Sequence, residues 1–156
     1  MKAIEFLTPE HIKSLAPRIR EADKREVYAS HRVTDMEKCL LNSLEMSHEA
    51  WCWVIDGVPV AAFGVTPGCY LTRMGIPWLL ASDEIYDHIH DFLKTSKIIV
   101  DYWRNNWDML SNYVDARNIK SIKWLKFLGF IIDEPTIYGL EKLPFHRFEI
   151  KWRKNV

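Results

Sequence analysis

No apolar run in this chain is long enough to span a bilayer. The longest, Ala50 to Val65, is interrupted by Asp56-Gly57 and falls short of the roughly 20 residues a spanning helix needs. Net positive charge is missing as well: Lys+Arg and Asp+Glu both number 21. Binding driven by counterion release needs a basic surplus, so a general nucleic-acid binder is excluded, though a local basic patch is not. Cysteine is scarce. Cys39, Cys52 and Cys69 are odd in number and have no close-paired spacing, so they read as free thiols rather than as disulfides or metal ligands. No internal repeat, low-complexity tract or Gly/Ser-rich linker divides the chain. The opening Met-Lys-Ala-Ile-Glu-Phe carries a charge at Glu5 where a signal peptide would run apolar, and an intracellular location is expected.

What the chain does have is material for a core. Of its 156 residues, 48% are hydrophobic and 27% charged, enough for one domain over 1–156 and too few for two. Residues 2–7 read as a short strand. Thr8 then caps a helix that has Pro9 in its first turn, and the helical segment is broken near Pro17. A second helix runs from Asp35 to about Met46. Ala50–Ile55 and Val58–Val65 are apolar on both faces and are joined by Asp56-Gly57, a hairpin signal between two central strands. A strand at Ile76–Ala81 precedes a long helix opened by Ser82-Asp83-Glu84. Ser82 is expected to cap that helix, and Ile85, Ile89, Phe92, Ser96, Ile99 and Trp103 fall on one face. Leu110–Ala116 is a further strand. Asn118 caps a short helix ending at Gly129. Phe130–Asp133 and Phe145–Trp152 form a last antiparallel pair, joined by a loop holding Pro135, Gly139 and Pro144. The order predicts a mixed α/β sheet with helices on both faces.

The stretch Asn112-Tyr113-Val114-Asp115-Ala116-Arg117-Asn118, followed by Ser121 to Phe130, resembles the second half of an acyl-CoA N-acyltransferase-like (GNAT) domain, and the element order matches along nearly the whole chain. Three blocks (Pro77–Asp83, Asn112–Phe130 and Pro144–Glu149) are similar to the small GNAT-like proteins of tailed phages and prophages, related to the internal virion (assembly) protein of T7-like phages. The broader resemblance implies a mostly antiparallel central sheet and acetyl-CoA as the donor for a small amine. Strands Pro77–Ala81 and Asn112–Ala116 would splay to hold the pantetheine, which makes Leu79, Leu80, Ala81, Asn118 and Lys123 the candidate cofactor contacts. The narrower one implies protein contacts with phage structural proteins, in the host cytoplasm or the virion.

Two features set the chain apart from a working enzyme of this kind. The family's Gly-rich diphosphate loop is replaced by Leu79-Leu80-Ala81-Ser82-Asp83-Glu84, which puts Asp83, Glu84 and Asp87 where an anion should meet the helix N-terminus. The tyrosine that many members carry seven residues after the motif Asn, as acid to the leaving thiolate, is Leu125 here, and a hydrocarbon donates no proton.

The remaining candidates each have two readings. Asn118 is a helix cap or a contact to cofactor or acceptor. Lys120, Lys123 and Lys126 are a solvated edge of the short helix or a phosphate-binding one. Asp115, Arg117, His146, Arg147 and Trp78 border the acceptor cleft of such a fold. The charged four form either a polar network fixing the sheet or, through His146 as base, a catalytic group. Tryptophans are core first and pocket lining second. His88 and His90, two apart on a helix, point to different faces, and no metal site is expected. The resulting expectation is a degenerate acetyl-CoA site on a protein acting through contacts in virion morphogenesis, with N-acetyl transfer by a non-standard site as the alternative.

Overall fold

The computed structural model describes residues 1–152. Seven strands, β1 (Lys2–Phe6), β2 (Glu49–Ile55), β3 (Val58–Cys69), β4 (Met74–Ala81), β5 (Met109–Asp115), β6 (Ile131–Tyr138) and β7 (Leu143–Lys151), make one sheet of order β1-β2-β3-β4-β5-β7-β6. Only β4 and β5 run parallel; the other neighbours are antiparallel. The helices are α1 (Pro9–Leu15), α2 (Glu21–His31), α3 (Met36–Met46), α4 (Ile89–Trp103) and α5 (Ile119–Leu128).

Local chemistry explains most of these boundaries. Thr8 Oγ1 accepts the His11 amide at 3.3 Å and the His11 ring accepts the Thr8 amide at 3.2 Å, a reciprocal cap ahead of Pro9. Pro17 sits in a 3₁₀ turn, Ala16–Arg18, that separates α1 from α2. Asp35 caps α3 by accepting the Lys38 amide at 3.1 Å. Asp56 (φ 49°) and Gly57 (φ 80°) make the hairpin turn between β2 and β3 with two left-handed residues, the geometry that suits the strand twist. Along those strands Trp53 and Phe63 pack with α4 and α5, while Cys52 and Ala62 pack with α1 and α3. Successive side chains alternate between faces, so a strand apolar on both faces ends up sandwiched, as its composition implies.

Several boundaries differ from the sequence reading: β3 runs on from Val65 to Cys69, β4 starts at Met74 and Pro144 lies inside β7, and two elements depart further. The helix signalled by Ser82 begins as a 3₁₀ segment, Asp83–His88, and becomes α-helical only at Ile89. Ser82 does not cap it. The residue is still extended (φ −87°, ψ 164°), its amide donates to the Val60 carbonyl at 2.9 Å, and it forms a bridge with Ile19. Its buried Oγ has no partner among the described residues. The last hairpin is also longer than expected: β6 continues past Asp133 through Pro135 to Tyr138, across an irregularity between Ile132 and Pro135. As an edge strand it loses no ladder bond to the proline. Among the described residues no helix is long and apolar enough to cross a membrane.

Candidate functional site

The parallel pair β4–β5 is joined only at its start, where Met74 faces Met109 and Gly75 faces Leu110. Beyond that point the strands diverge, and the residue responsible is Pro77. In the antiparallel register of β4 with β3, Ser82 donates to Val60, so Trp78 and Leu80 also turn their backbone groups toward β3. Pro77, Leu79 and Ala81 turn theirs toward β5. Proline has no N–H for the next rung, and the ladder stops.

The chain fills part of the opening itself. Asn112 bridges it, donating from Nδ2 to the Pro77 carbonyl at 2.8 Å and accepting the Tyr113 amide at Oδ1 at 2.8 Å. From α2, Asp23 Oδ2 accepts the Ala81 amide at 3.0 Å, and the Arg20 amide donates to the Ala81 carbonyl at 2.8 Å. Glu26 Oε1 accepts the Asp115 amide at 2.7 Å. Between these plugs Leu79 has no strand partner on the β5 side among the described residues. Of Leu79, Leu80 and Ala81, it alone keeps backbone groups open to the gap.

Three cavities meet at this gap, and Leu79 and Trp124 line all of them. The outer one, about 410 Å³, lies between the start of α4 and α5 and holds Tyr86, Lys120 and Lys123. Lys120 Nζ stands 4.4 Å over the Tyr86 ring. Neither lysine pairs with a carboxylate among the described residues. Asp83, Glu84 and Asp87 do not line this cavity, and Glu84 is ion-paired with Arg18. The charged side chains that line this cavity, Arg20, Lys120 and Lys123, are all basic, while Asp83 stays near enough to act on Asp23. Lys126, the third lysine of the edge, stays outside.

The second cavity, about 610 Å³, lies on the opposite face, walled by α2, α3 and the diverging strands, and reaches through the gap to Ser121, Trp124 and Leu125. Aromatic Trp78, Tyr113 and Tyr138 line it with the carboxyl groups of Asp23, Glu26 and Asp35. Trp78 is fixed by donation from Nε1 to Ser47 Oγ at 2.8 Å, and Tyr113 stacks on Tyr138 with centroids 3.9 Å apart. Asp23 is held in a fork by Arg20 at 2.7 and 2.9 Å. Burial pushes its carboxyl up, yet guanidinium and Ala81 amide both bind the ionised form, and that geometry keeps the pair ionic. Glu26 differs. Burial, the largest cause, pushes its carboxyl up to about 8; the charges of Asp23 and Asp115 add to this, and the Asp115 amide and the Arg20 charge oppose it. Its second oxygen takes no hydrogen bond among the described residues. The third cavity, about 90 Å³, lies under α4 and α5 and is almost wholly apolar.

The other sequence candidates fall outside this arrangement. Asn118 is the cap of α5, accepting the Ser121 amide at 3.3 Å, with its buried Nδ2 unpartnered among the described residues. Asp115 and Arg117 form a closed pair at 2.6 Å. Burial alone would raise the Asp115 carboxyl, but Arg117 outweighs it and holds the acid below its usual range. His146 and Arg147 do not join them: His146 donates from Nδ1 to the Asp133 carbonyl at 2.7 Å, and Arg147 pairs with Glu149 at 2.9 Å and Asp133 at 3.5 Å. None of these four lines any of the three cavities: Asp115 and Arg117 satisfy each other, and His146 and Arg147 are taken up by Asp133 of β6 and Glu149 of β7. Sequence reasoning passed over Asp23 and Glu26. The available signal was on α2, where Arg20, Asp23, Glu26 and Ser30 recur at helical spacing on the face an ordinary helix would make apolar.

No protein-family model and no curated protein matches the sequence. Solved structures do match in shape. Ard1 from Thermoplasma volcanium superposes with a TM-score of 0.74 at 15% identity, over 98% of this chain and 99% of that one. A GNAT-family acetyltransferase from Bacillus anthracis gives 0.73 at 7% identity, over 96% and 94%. RimL, a ribosomal α-N-protein acetyltransferase in complex with coenzyme A, gives 0.71 at 8% identity, over 96% and 93%. The fold is that of the GNAT acetyltransferases. At such identities the likeness establishes the fold and leaves the chemistry to the site.

Proposed function

We propose that the chain is an acyl-CoA-dependent N-acyltransferase, a reading that takes in the acetyl-CoA-dependent N-acetyl transfer placed second by the sequence. One observation carries it: a strand gap in which Leu79 of β4 keeps its backbone groups without a strand partner among the described residues opens from a basic mouth on one face into a carboxyl-bearing cavity on the other. The residues present suit the donor. Lys120 and Lys123 would take its phosphates, the Leu79 backbone its amides, and the buried Trp124 Nε1, unpartnered among the described residues, a carbonyl. Coenzyme A, when bound, supplies the acyl group as a thioester.

The chain's own part is to bind, orient and move one proton. The Leu79 N–H would polarise a carbonyl at the gap. An amine entering the second cavity meets Glu26 on the β5 side. With its amide-bonded oxygen fixed by Asp115, Glu26 offers the other as base, and a pKa near the working pH suits that role. Overall, an N–C bond forms, the C–S bond breaks, the amine loses one proton and the departing thiolate gains one. A thiol of pKa about 8.5 leaves readily as thiolate, so Leu125 in place of a phenol does not bar the reaction.

Thermal shift with acetyl-CoA tests the reading. At 100 times the dissociation constant, a ligand of the folded state stabilises it by about 2.7 kcal/mol, roughly 8 °C for a domain of this size. Flat melting curves with every acyl-CoA would remove the enzymatic reading and return the protein to contacts in virion assembly, which rests on the sequence resemblance to phage proteins.

A further inference from the structure

The third cavity belongs to neither half of a simple acetyl transfer. It shares Pro77, Trp78, Leu79, Trp124, Leu125 and Phe148 with the amine-side cavity, so it opens on the same gap, where the reacting carbonyl would sit. From there it runs beneath α4 past Phe92, Ser96 and Val100 to Trp103. Interiors as rich in large aromatics as this one usually close around themselves without voids. Two of its walls carry an additional signal: the indole N–H groups of Trp103 and Trp124 are buried and have no acceptor among the described residues. Buried donors without partners are uncommon, and a ligand whose carbonyl sits at the Trp124 end and whose apolar tail runs toward Trp103 would give the Trp124 N–H an acceptor and fill the void.

We infer that this chamber takes the acyl chain of the donor, and that the preferred acyl group is longer than acetyl. The inference rests on the acyltransferase reading and adds the acyl class to it. An apolar cavity of about 150 Å³ accommodates a six-carbon ring. A chamber of about 90 Å³ therefore suits some three or four carbons beyond the carbonyl, which points to butanoyl or pentanoyl thioesters. Anionic head, amine and acyl tail would then each have a chamber, all converging on Leu79 and Trp124.

Calorimetric titration of free coenzyme A and its acetyl, butanoyl, pentanoyl and dodecanoyl thioesters decides the matter without turnover. Each buried methylene should tighten binding about fourfold, so butanoyl-CoA should bind some 16-fold better than acetyl-CoA, and dodecanoyl-CoA no better than pentanoyl-CoA. Ser96→Leu, which fills the chamber, should abolish the preference while leaving free coenzyme A affinity unchanged. If that variant does not fold, the wild-type series alone remains decisive. Coenzyme A binding with no gain from acetyl to pentanoyl would overturn this inference and leave the acyltransferase reading standing. Absence of binding by every compound would overturn both.

Discussion

Replacing Glu26 by Gln should change how the stability of this protein responds to pH. The substitution removes the titrating group but keeps an oxygen that can accept the Asp115 amide, now 2.7 Å from Glu26 Oε1. The folded-state pKa, about 8 against an ordinary 4.5, lies above the unfolded one, so between those values the folded state holds the extra proton. Stability from this group is fully present below pH 4.5 and is lost as pH rises through 8. At one proton per 1.36 kcal/mol per unit, the loss from pH 6 to pH 9 integrates to roughly 2.5 kcal/mol as an upper bound. The side chain retains some solvent contact, and screening brings this to about 1 kcal/mol. With an unfolding entropy near 2.1 cal/mol/K per residue, that is a fall of about 3 °C in Tm. Differential scanning fluorimetry of both proteins from pH 6 to 9 is sufficient. Wild type should lose this increment, while Glu26→Gln should stay level and become the more stable above pH 8. Parallel curves would show that Glu26 titrates normally and would remove the basis for treating it as a base near neutrality.

Three further outcomes follow from the same geometry. Lys120→Glu with Lys123→Glu should weaken coenzyme A binding by ten- to a hundredfold and flatten its salt dependence, as two phosphate-facing charges of about 1 kcal/mol each would; calorimetry at two ionic strengths measures both. Asn112→Ala should lower stability by about 1–3 kcal/mol, because the Pro77 carbonyl and Tyr113 amide lose their partner together; a Tm within 1 °C of wild type would mean that water or main-chain movement closes the gap instead. Asp23→Ala strands the buried Arg20 guanidinium, whose side chain is 8% exposed, and should destabilise by about 3–5 kcal/mol, read as a lowered urea midpoint with unchanged slope.

Much of the fold could be read from local chemistry, because the relevant forces act within a few residues. Thr8, Asp35 and Asn118 cap helices where their side chains reach amides three positions on, Gly129 ends α5 in the left-handed region (φ 99°), and the two-faced apolarity of β2 and β3 shows that they lie inside the sheet. Even the gap had a local cause in Pro77, an imino acid inside an apolar strand. What the sequence could not show is where charge ends up. Arg18 ties up Glu84 across 66 residues, and Glu26 meets the Asp115 amide across 89. Neither distance leaves a trace in periodicity or spacing. The acidic string after Ala81 looked hostile to a phosphate, and only the packing of α5 against α4 brings Lys120 and Lys123 to line the neighbouring cleft. Hydrophobic pattern and caps are short-range and written into the chain. The sign of a cavity's field and the pKa of a buried acid are sums over neighbours that exist only once the chain has folded.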